Sequence, residues 1–254
     1  MPRYARNRSE TGIYHLMLRG INRQDIFADE EDREKLFETL ARYKIKSGYD
    51  IYGYCLMSNH IHLLLKEKTE PMSLVIKRIS SSYVYWYNWK YERCGHLFQE
   101  RFKSEAVDSN AYLLTVLRYI HQNPAKAGLI AETNLSNYKW SSYREYISKP
   151  LITDIDFVLS IFSDKRRKAL ALFKEYNSAI NDEQCLEYSG KIRFSDDEVK
   201  EMLKRYGVKN INQLHRLGKN ETGTIISDLK SVNGVSLRQL ARITGISKST
   251  IDRI

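Results

Sequence analysis

The sequence predicts an α+β protein: an antiparallel sheet with helices on one face, followed by a small all-α C-terminal domain. Three observations predict it. Hydrophobic periodicity switches between 2.0 and 3.6 residues in the order β-α-β-β-α-β through about residue 107. Two of the strands are separated only by Ser58-Asn59, which suits a hairpin turn. After residue 150 every periodic segment reads as helix.

The elements follow in order. Residues 12–19, GIYHLMLR, read as the first strand. Residues 30–47 read as a helix, acidic at its start and basic at its end, with Leu36, Leu40 and Tyr43 on one face and Gly48 as its stop. Residues 50–57 and 60–67 are the hairpin strands. Residues 72–91 form a long helix opening after Pro71. Residues 97–107 read as the fourth strand, and residues 109–122 as a helix capped by Ser109 or Asn110. The first six elements make the ferredoxin-like split-βαβ pattern, whose sheet leaves one face available. Beyond it, 155–162 and 164–180 read as short helices, and 195–206 as a helix with a Ser cap and an acidic first turn. Residues 234–254, GVSLRQLARITGISKSTIDRI, resemble a helix-turn-helix. Leu237, Leu240, Ala241 and Ile243 pack its first helix, Gly245 makes the turn, and Ile246 and Ile251 anchor a second helix starting at Ser247. The expected division is 1–150, a helical extension and linker over 151–190, and a C-terminal helical domain over 191–254.

Composition narrows the function classes. The 254 residues are 42% hydrophobic and 28% charged, enough for a packed core and unlike a disordered chain. The net charge is +10 and the pI near 9.3, which favours a polyanionic partner such as nucleic acid. The excess is +6 over 1–150, −2 over 151–190 and +6 over 191–254, so two separate basic surfaces are expected. Cys55, Cys94 and Cys185 are odd in number and widely spaced, with no disulfide framework or CxxC zinc site. The N-terminus lacks a signal-peptide core and no apolar run is long enough to span a membrane, so a cytoplasmic, nucleoid-associated protein is expected.

Two short stretches carry candidate chemistry. In SNHIHLLL, His60 and His62 are two apart on a strand and face the same way, while Ile61 and Leu63 face the other. Two same-facing imidazoles suit a divalent metal, although two separately hydrogen-bonded histidines would give the same pattern. In LRYIHQNPAKAGL, Tyr119 and Asn123 are four apart and share a helix face; Pro124 biases Asn123 toward the helix end. A half-buried aromatic and a C-terminal cap are the plainer reading of that pair. Taken together, a cation held by neutral ligands keeps its charge and can polarise a phosphodiester, and a nearby tyrosine can attack phosphorus. Free tyrosine has a pKa of about 10, so the cationic centre must also favour the phenolate.

The run SNHIHLLL, then LFQERFKS, then RYIHQNPAKAGL resembles the single-tyrosine HUH transposases, in particular the REP-associated tyrosine transposase branch of the IS200-like family. The likeness covers roughly residues 1–150. HUH denotes His-hydrophobic-His, matched by His60-Ile61-His62. The resemblance implies that 1–150 is the catalytic domain, Tyr119 the nucleophile, and Mg²⁺ or Mn²⁺ the cofactor bound by His60 and His62. Relatives place a glutamine four residues after the tyrosine as third ligand. Here that position is Asn123, with Gln122 one place earlier, and helical phase favours Asn123. The implied activity is cleavage of single-stranded or hairpin DNA through a 5′-phosphotyrosine link, by a monomer or homodimer. Imidazole is an unusual ligand for hard Mg²⁺, which favours Mn²⁺ in vitro.

DNA-binding candidates follow. Arg101 and Lys103 alternate with Phe102 and should share a face. Lys77 and Arg78 lie on a helix with Tyr83, Trp86 and Trp89, whose spacing equally fits a core stripe. Residues 2–8 form a basic arm. Ser247, Lys248 and Arg253, with Ser249, would read duplex DNA from the helix-turn-helix. His15, His96, His121 and His215 read as structural or exposed. Two rivals make different predictions. A non-catalytic DNA-binding regulator would bind with steep salt dependence and form no adduct. A metallohydrolase would nick without a protein–DNA link.

Overall fold

Asp29 starts the first helix. Its carboxylate accepts from the Asp32 amide at 3.0 Å, while Asp32 accepts in return from the Asp29 amide at 3.2 Å. That reciprocal box satisfies donors the helix itself cannot use. Helix α1, Glu30–Ser47, ends at Gly48, which adopts φ 60°. The chain then forms β2, Tyr49–Leu56, and β3, His60–Glu67, pairing back on β1, Ile13–Arg19. Helix α2, Met72–Lys90, leads to β4, Lys103–Ala106. The sheet is antiparallel in the order β2-β3-β1-β4, the split-βαβ arrangement. The computed structural model describes residues 7–131, 133–180, 183, 185–186, 194, 196–208, 213–214, 217–232 and 235–254. Residues 2–6 of the basic arm and His215 lie outside them. Among the described residues no helix is long and apolar enough to cross a membrane.

Alternation along each strand sorts two cores. Leu16 and Leu18 of β1, Ile51 and Leu56 of β2, and Ile61, Leu63 and Leu65 of β3 pack against α1 and α2. Tyr83 of α2 is fully buried there and donates to the Ile26 carbonyl at 2.6 Å. Trp86 packs partly against this core, but Trp89 is 74% exposed, so the expected three-residue stripe ends one turn early.

The opposite face carries a third layer that the split-βαβ pattern does not specify. Helix α3, Asn110–Lys126, lies across it, capped by Ser109. Leu113, Val116, Leu117 and Ile120 share a core with Ile13 and Leu64 of the sheet. Gly53 permits the approach: a Cβ there would stand 2.6 Å from Leu117 Cδ1. Short α4, Tyr143–Ile147, is followed by α5, Ile155–Phe162, and α6, Arg166–Ser178, whose Val158, Leu159 and Phe173 join that core. Gln122 of α3 donates to the Asn177 and Ala179 carbonyls at 2.7 and 3.0 Å, and Arg118 pairs with Glu183. The backbone divides into Met1–Glu187 and Tyr188–Ile254.

Two boundaries differ from the sequence reading. Strand β4 is shorter than 97–107, because the ladder is interrupted. Phe98 bridges Gly20 and Lys103 pairs with Met17, so four residues of one segment face two of the other. Helix α3 also runs through Pro124 to Lys126 rather than stopping at residue 122. Proline removes one helix N–H, but the turn is carried on by Ala127 and Leu129 amides bonding the Asn123 and Pro124 carbonyls.

The second unit is helical. Helices α7, Asp196–Arg205, and α8, Lys219–Ser231, precede α9, Leu237–Thr244, and α10, Lys248–Arg253. Val199, Ile226, Leu240 and Ile251 are fully buried at its centre. Gly245 turns the chain between α9 and α10 at φ 70°, and Ser236 and Ser247 cap the two helices.

Candidate active site

Strand β3 turns Ile61, Leu63 and Leu65 toward α1 and α2, so His60 and His62 face α3. Helix α3 presents Tyr119 and Asn123 to the same place. The ring centroids of His60 and His62 are 5.0 Å apart, and that of Tyr119 is 5.5 Å from His62. The Asn123 amide nitrogen is 3.4 Å from His62 Nε2. Gln122 instead points to the end of α6, so Asn123 is the amide that meets the ring. Tyr119 is 3% exposed, and the Lys126 ammonium lies 5.5 Å from its ring centre.

Burial governs the charge state of these rings. His62 is fully buried; loss of hydration pushes its pKa well below the ordinary value, and the neighbouring His15 and His60 add to the effect. His15 is also fully buried and shifted down, against the opposing pull of Glu105. Neutral rings keep a lone pair, which is what metal ligation needs.

The geometry fits a divalent cation. With Nε2 roughly 2.1 Å from an ion, two ligating imidazole rings have centroids roughly 4.5–5.3 Å apart, which brackets the observed spacing. His60 Nδ1 is 2.7 Å from Asn59 Oδ1, an acceptor that holds the hydrogen on Nδ1 and leaves Nε2 for the ion. A half-turn of the Asn123 amide would exchange its nitrogen for its oxygen without moving other atoms. Among the described residues no three His, Cys, Asp or Glu side chains gather into a metal-binding group. Any ion here would therefore be held by two imidazoles and an amide, a set without negative charge.

The remaining candidates are dispersed. Lys103 pairs with Met17, which pairs with His62, so all three stand in one row across the sheet. Arg101 and Lys103 line a groove of ≈ 1210 Å³ between β4 and α2, together with Tyr85 and His96. Tyr85 is 79% exposed. Lys77 is exposed on α2, which packs on the far side of the sheet from His62. Arg78 is held by both carboxylate oxygens of Glu70, at 3.0 and 2.9 Å. In the second unit Lys248 and Arg253 are exposed on α10, while Ser247 caps that helix through the Thr250 amide.

Sequence reasoning missed four neighbours of the site. His15 Nε2 is 3.0 Å from His62 Nδ1, and Glu105 Oε2 is 3.8 Å from His15 Nδ1. Arg19 stands opposite His60 in the ladder, and Lys126 overlies Tyr119. The signal for the first was present: the split-βαβ order makes β1 the neighbour of β3, and His15 has the strand phase of the catalytic candidates.

Comparison with known proteins follows this geometry. A model of the family described as Transposase IS200 like matches residues 9–123. No curated protein matches the chain. Among solved structures, a REP-associated tyrosine transposase bound to a REP hairpin superposes with TM-score 0.51 at 16% identity, covering 61% of this chain and 96% of that one. A protein from Deinococcus radiodurans R1, provisionally called a transposase, gives TM-score 0.34 at 16% identity, covering 48% of this chain and 97% of that one. The first shares the α+β fold. Residues 9–123 of this chain are thus similar to the IS200-like transposase family.

Proposed function

We propose that the protein is a metal-dependent, tyrosine-nucleophile strand transferase acting on single-stranded or hairpin DNA, of the REP-associated kind. The observation that carries this reading is the meeting of Tyr119 with His62, itself against His60, from elements more than fifty residues apart in sequence. The hairpin-bound relative supports a DNA hairpin as substrate.

His60, His62 and Asn123 would hold Mg²⁺ or Mn²⁺. When bound, the ion supplies charge that draws electron density from the scissile phosphate and stabilises its transition state. Tyr119 Oη attacks phosphorus and forms an Oη–P bond as the P–O3′ bond breaks. The phenol loses its proton, and the departing 3′ oxygen takes one up. The 5′ end stays on Tyr119 as a phosphodiester, and attack by another 3′-hydroxyl reverses the exchange and joins strands. The Lys126 ammonium, 5.5 Å from the Tyr119 ring centre, would add positive charge beside the attacking group. Arg101 and Lys103, in the groove beside exposed Tyr85, would follow the DNA backbone while an aromatic face stacks on a base. Lys77 and Arg78 would make more distant phosphate contacts, and Ser247, Lys248 and Arg253 would contact duplex DNA.

The test uses palindrome-bearing oligonucleotides labelled at either end. The expected result is covalent capture of the downstream fragment, lost in Tyr119→Phe and in the presence of chelator. Cleavage at full rate by Tyr119→Phe would refute the nucleophile, and nicking without an adduct would identify water as the attacking group.

A further inference from the structure

One buried contact plays no part in that chemistry. His15 sits in the central region of the sheet with no exposure, and His62 sits diagonally across from it: His15 pairs with Leu64, and His62 with Met17. The two rings stack at 5.2 Å and meet nitrogen to nitrogen, His15 Nε2 to His62 Nδ1, at 3.0 Å. On its other side His15 Nδ1 faces Glu105 Oε2 at 3.8 Å, and β4 places Glu105 directly opposite His15. Neither of those two buried atoms has a hydrogen-bond partner.

Of the two arrangements of hydrogens open to this row, the carboxylate charge selects one. A neutral imidazole carries a single N–H, and a carboxylate only accepts. The His15 nitrogen facing the carboxylate is therefore the one that keeps its hydrogen. At 3.8 Å the contact is longer than a hydrogen bond, yet the negative charge of the half-buried carboxylate still favours N–H over a lone pair there. His15 Nε2 is then bare and accepts from His62 Nδ1. His62 Nε2 is left with its lone pair, and it is the atom that meets Asn123.

We propose that Glu105 and His15 are positioning residues that fix His62 as the Nδ1–H tautomer and so aim a bare Nε2 into the cation site. The consequence for metal affinity rests on the reading of His62 as a ligand; the tautomer does not. Partners of this kind on metal-bound histidines fix ring orientation and raise ligand basicity.

The test has two arms on the full-length protein. Long-range ¹H–¹⁵N spectra of the metal-free form, assigned with His15 and His62 variants, report which nitrogen bears hydrogen. Both rings are expected to be Nδ1–H. Calorimetric titration with Mn²⁺ should give one site per chain, abolished in His62→Ala. Binding should weaken about 10–100-fold in Glu105→Gln and in His15→Phe. His15→Gln, whose amide oxygen can accept from His62, should recover part of that loss. A wild-type His62 with hydrogen on Nε2 overturns the proposal. So does unchanged Mn²⁺ affinity in Glu105→Gln, which sits on the edge strand and serves even where His15→Phe does not fold. Absence of Mn²⁺ binding by the wild type would defeat the metal reading instead, and the spectra would still decide the tautomer.

Discussion

The two faces of the sheet are built from the same strands but differ in kind. Toward α1 and α2 the strands offer leucine, isoleucine and tyrosine, and that interior is held by apolar burial. Toward α3 they offer His15, His60 and His62, and the covering helix adds His121 and Asn123. Burying those polar groups costs stability unless each finds a partner. Most do: His121 Nδ1 is 2.8 Å from Asn177 Oδ1 and its Nε2 is 2.9 Å from Ser142 Oγ. Both faces supply cohesion through apolar burial, and the α3 face spends some of it on chemistry.

Single substitutions should pull the faces apart. The largest effect is expected from Tyr119→Phe, which should lower covalent adduct formation by about 10³-fold or more with little change in DNA affinity, measured by denaturing gel and by filter binding. Next, Leu63→Ala and His62→Ala alter adjacent residues of one strand that face opposite ways. Leu63→Ala should lower unfolding free energy by about 2–5 kcal/mol while Mn²⁺ affinity of the folded fraction stays the same. His62→Ala should abolish Mn²⁺ binding at a smaller stability cost, of about 1–3 kcal/mol. Denaturant melts and calorimetry on both variants check the pair, and equal effects on metal binding would erase the distinction.

Acid should act through the polar face. Burial pushes His121 down to about 4, and it is bonded to Asn177 and Ser142 and edged by Tyr143, Tyr146 and Phe173. Its unfolded counterpart takes up a proton near pH 6.5, while the folded ring stays neutral until about 4. Its contribution is therefore intact above pH 6.5 and is lost progressively between 6.5 and 4, by up to about 3 kcal/mol. His15 and His62 shift in the same direction and add to the slope. Urea midpoints measured from pH 7.5 to 5 should fall, and His121→Gln should flatten the curve. The smallest effects belong to the groove. Arg101→Ala and Lys103→Ala should each reduce the salt slope of single-strand binding by about 0.7, with adduct chemistry retained at saturating DNA.

The split in kind also explains what was readable from sequence. The cohesive face repeats apolar residues at fixed periods, so α1, the hairpin and α2 were legible to within a residue or two. The polar face is assembled by long-range pairing, which periodicity does not encode. His60 and His62 stood out because they are two apart, and Tyr119 through its resemblance to a family motif. His15 and Glu105 lie on β1 and β4, and only the strand order β2-β3-β1-β4 makes them neighbours of β3. The layer over α3 was hidden for the same reason: α5 and α6 were visible as helices, but their landing place was not. The interruption before β4 escaped because Arg101, Phe102 and Lys103 alternate as an unbroken strand would, while the departure is imposed by Gly20 and its bridge to Phe98.

The grip of α6 on α3 sets a practical limit on trimming the protein. The family match ends at residue 123, but the helix bearing Tyr119 is sandwiched between the sheet and residues that come later in the chain. A fragment cut at residue 150 would strip His121, Gln122 and Arg118 of the Asn177 amide, the carbonyls and the carboxylate that bond them. The recognisable motif is therefore shorter than the smallest piece that can hold it in shape, and an expression clone meant to keep the phenol in register should run to about residue 187.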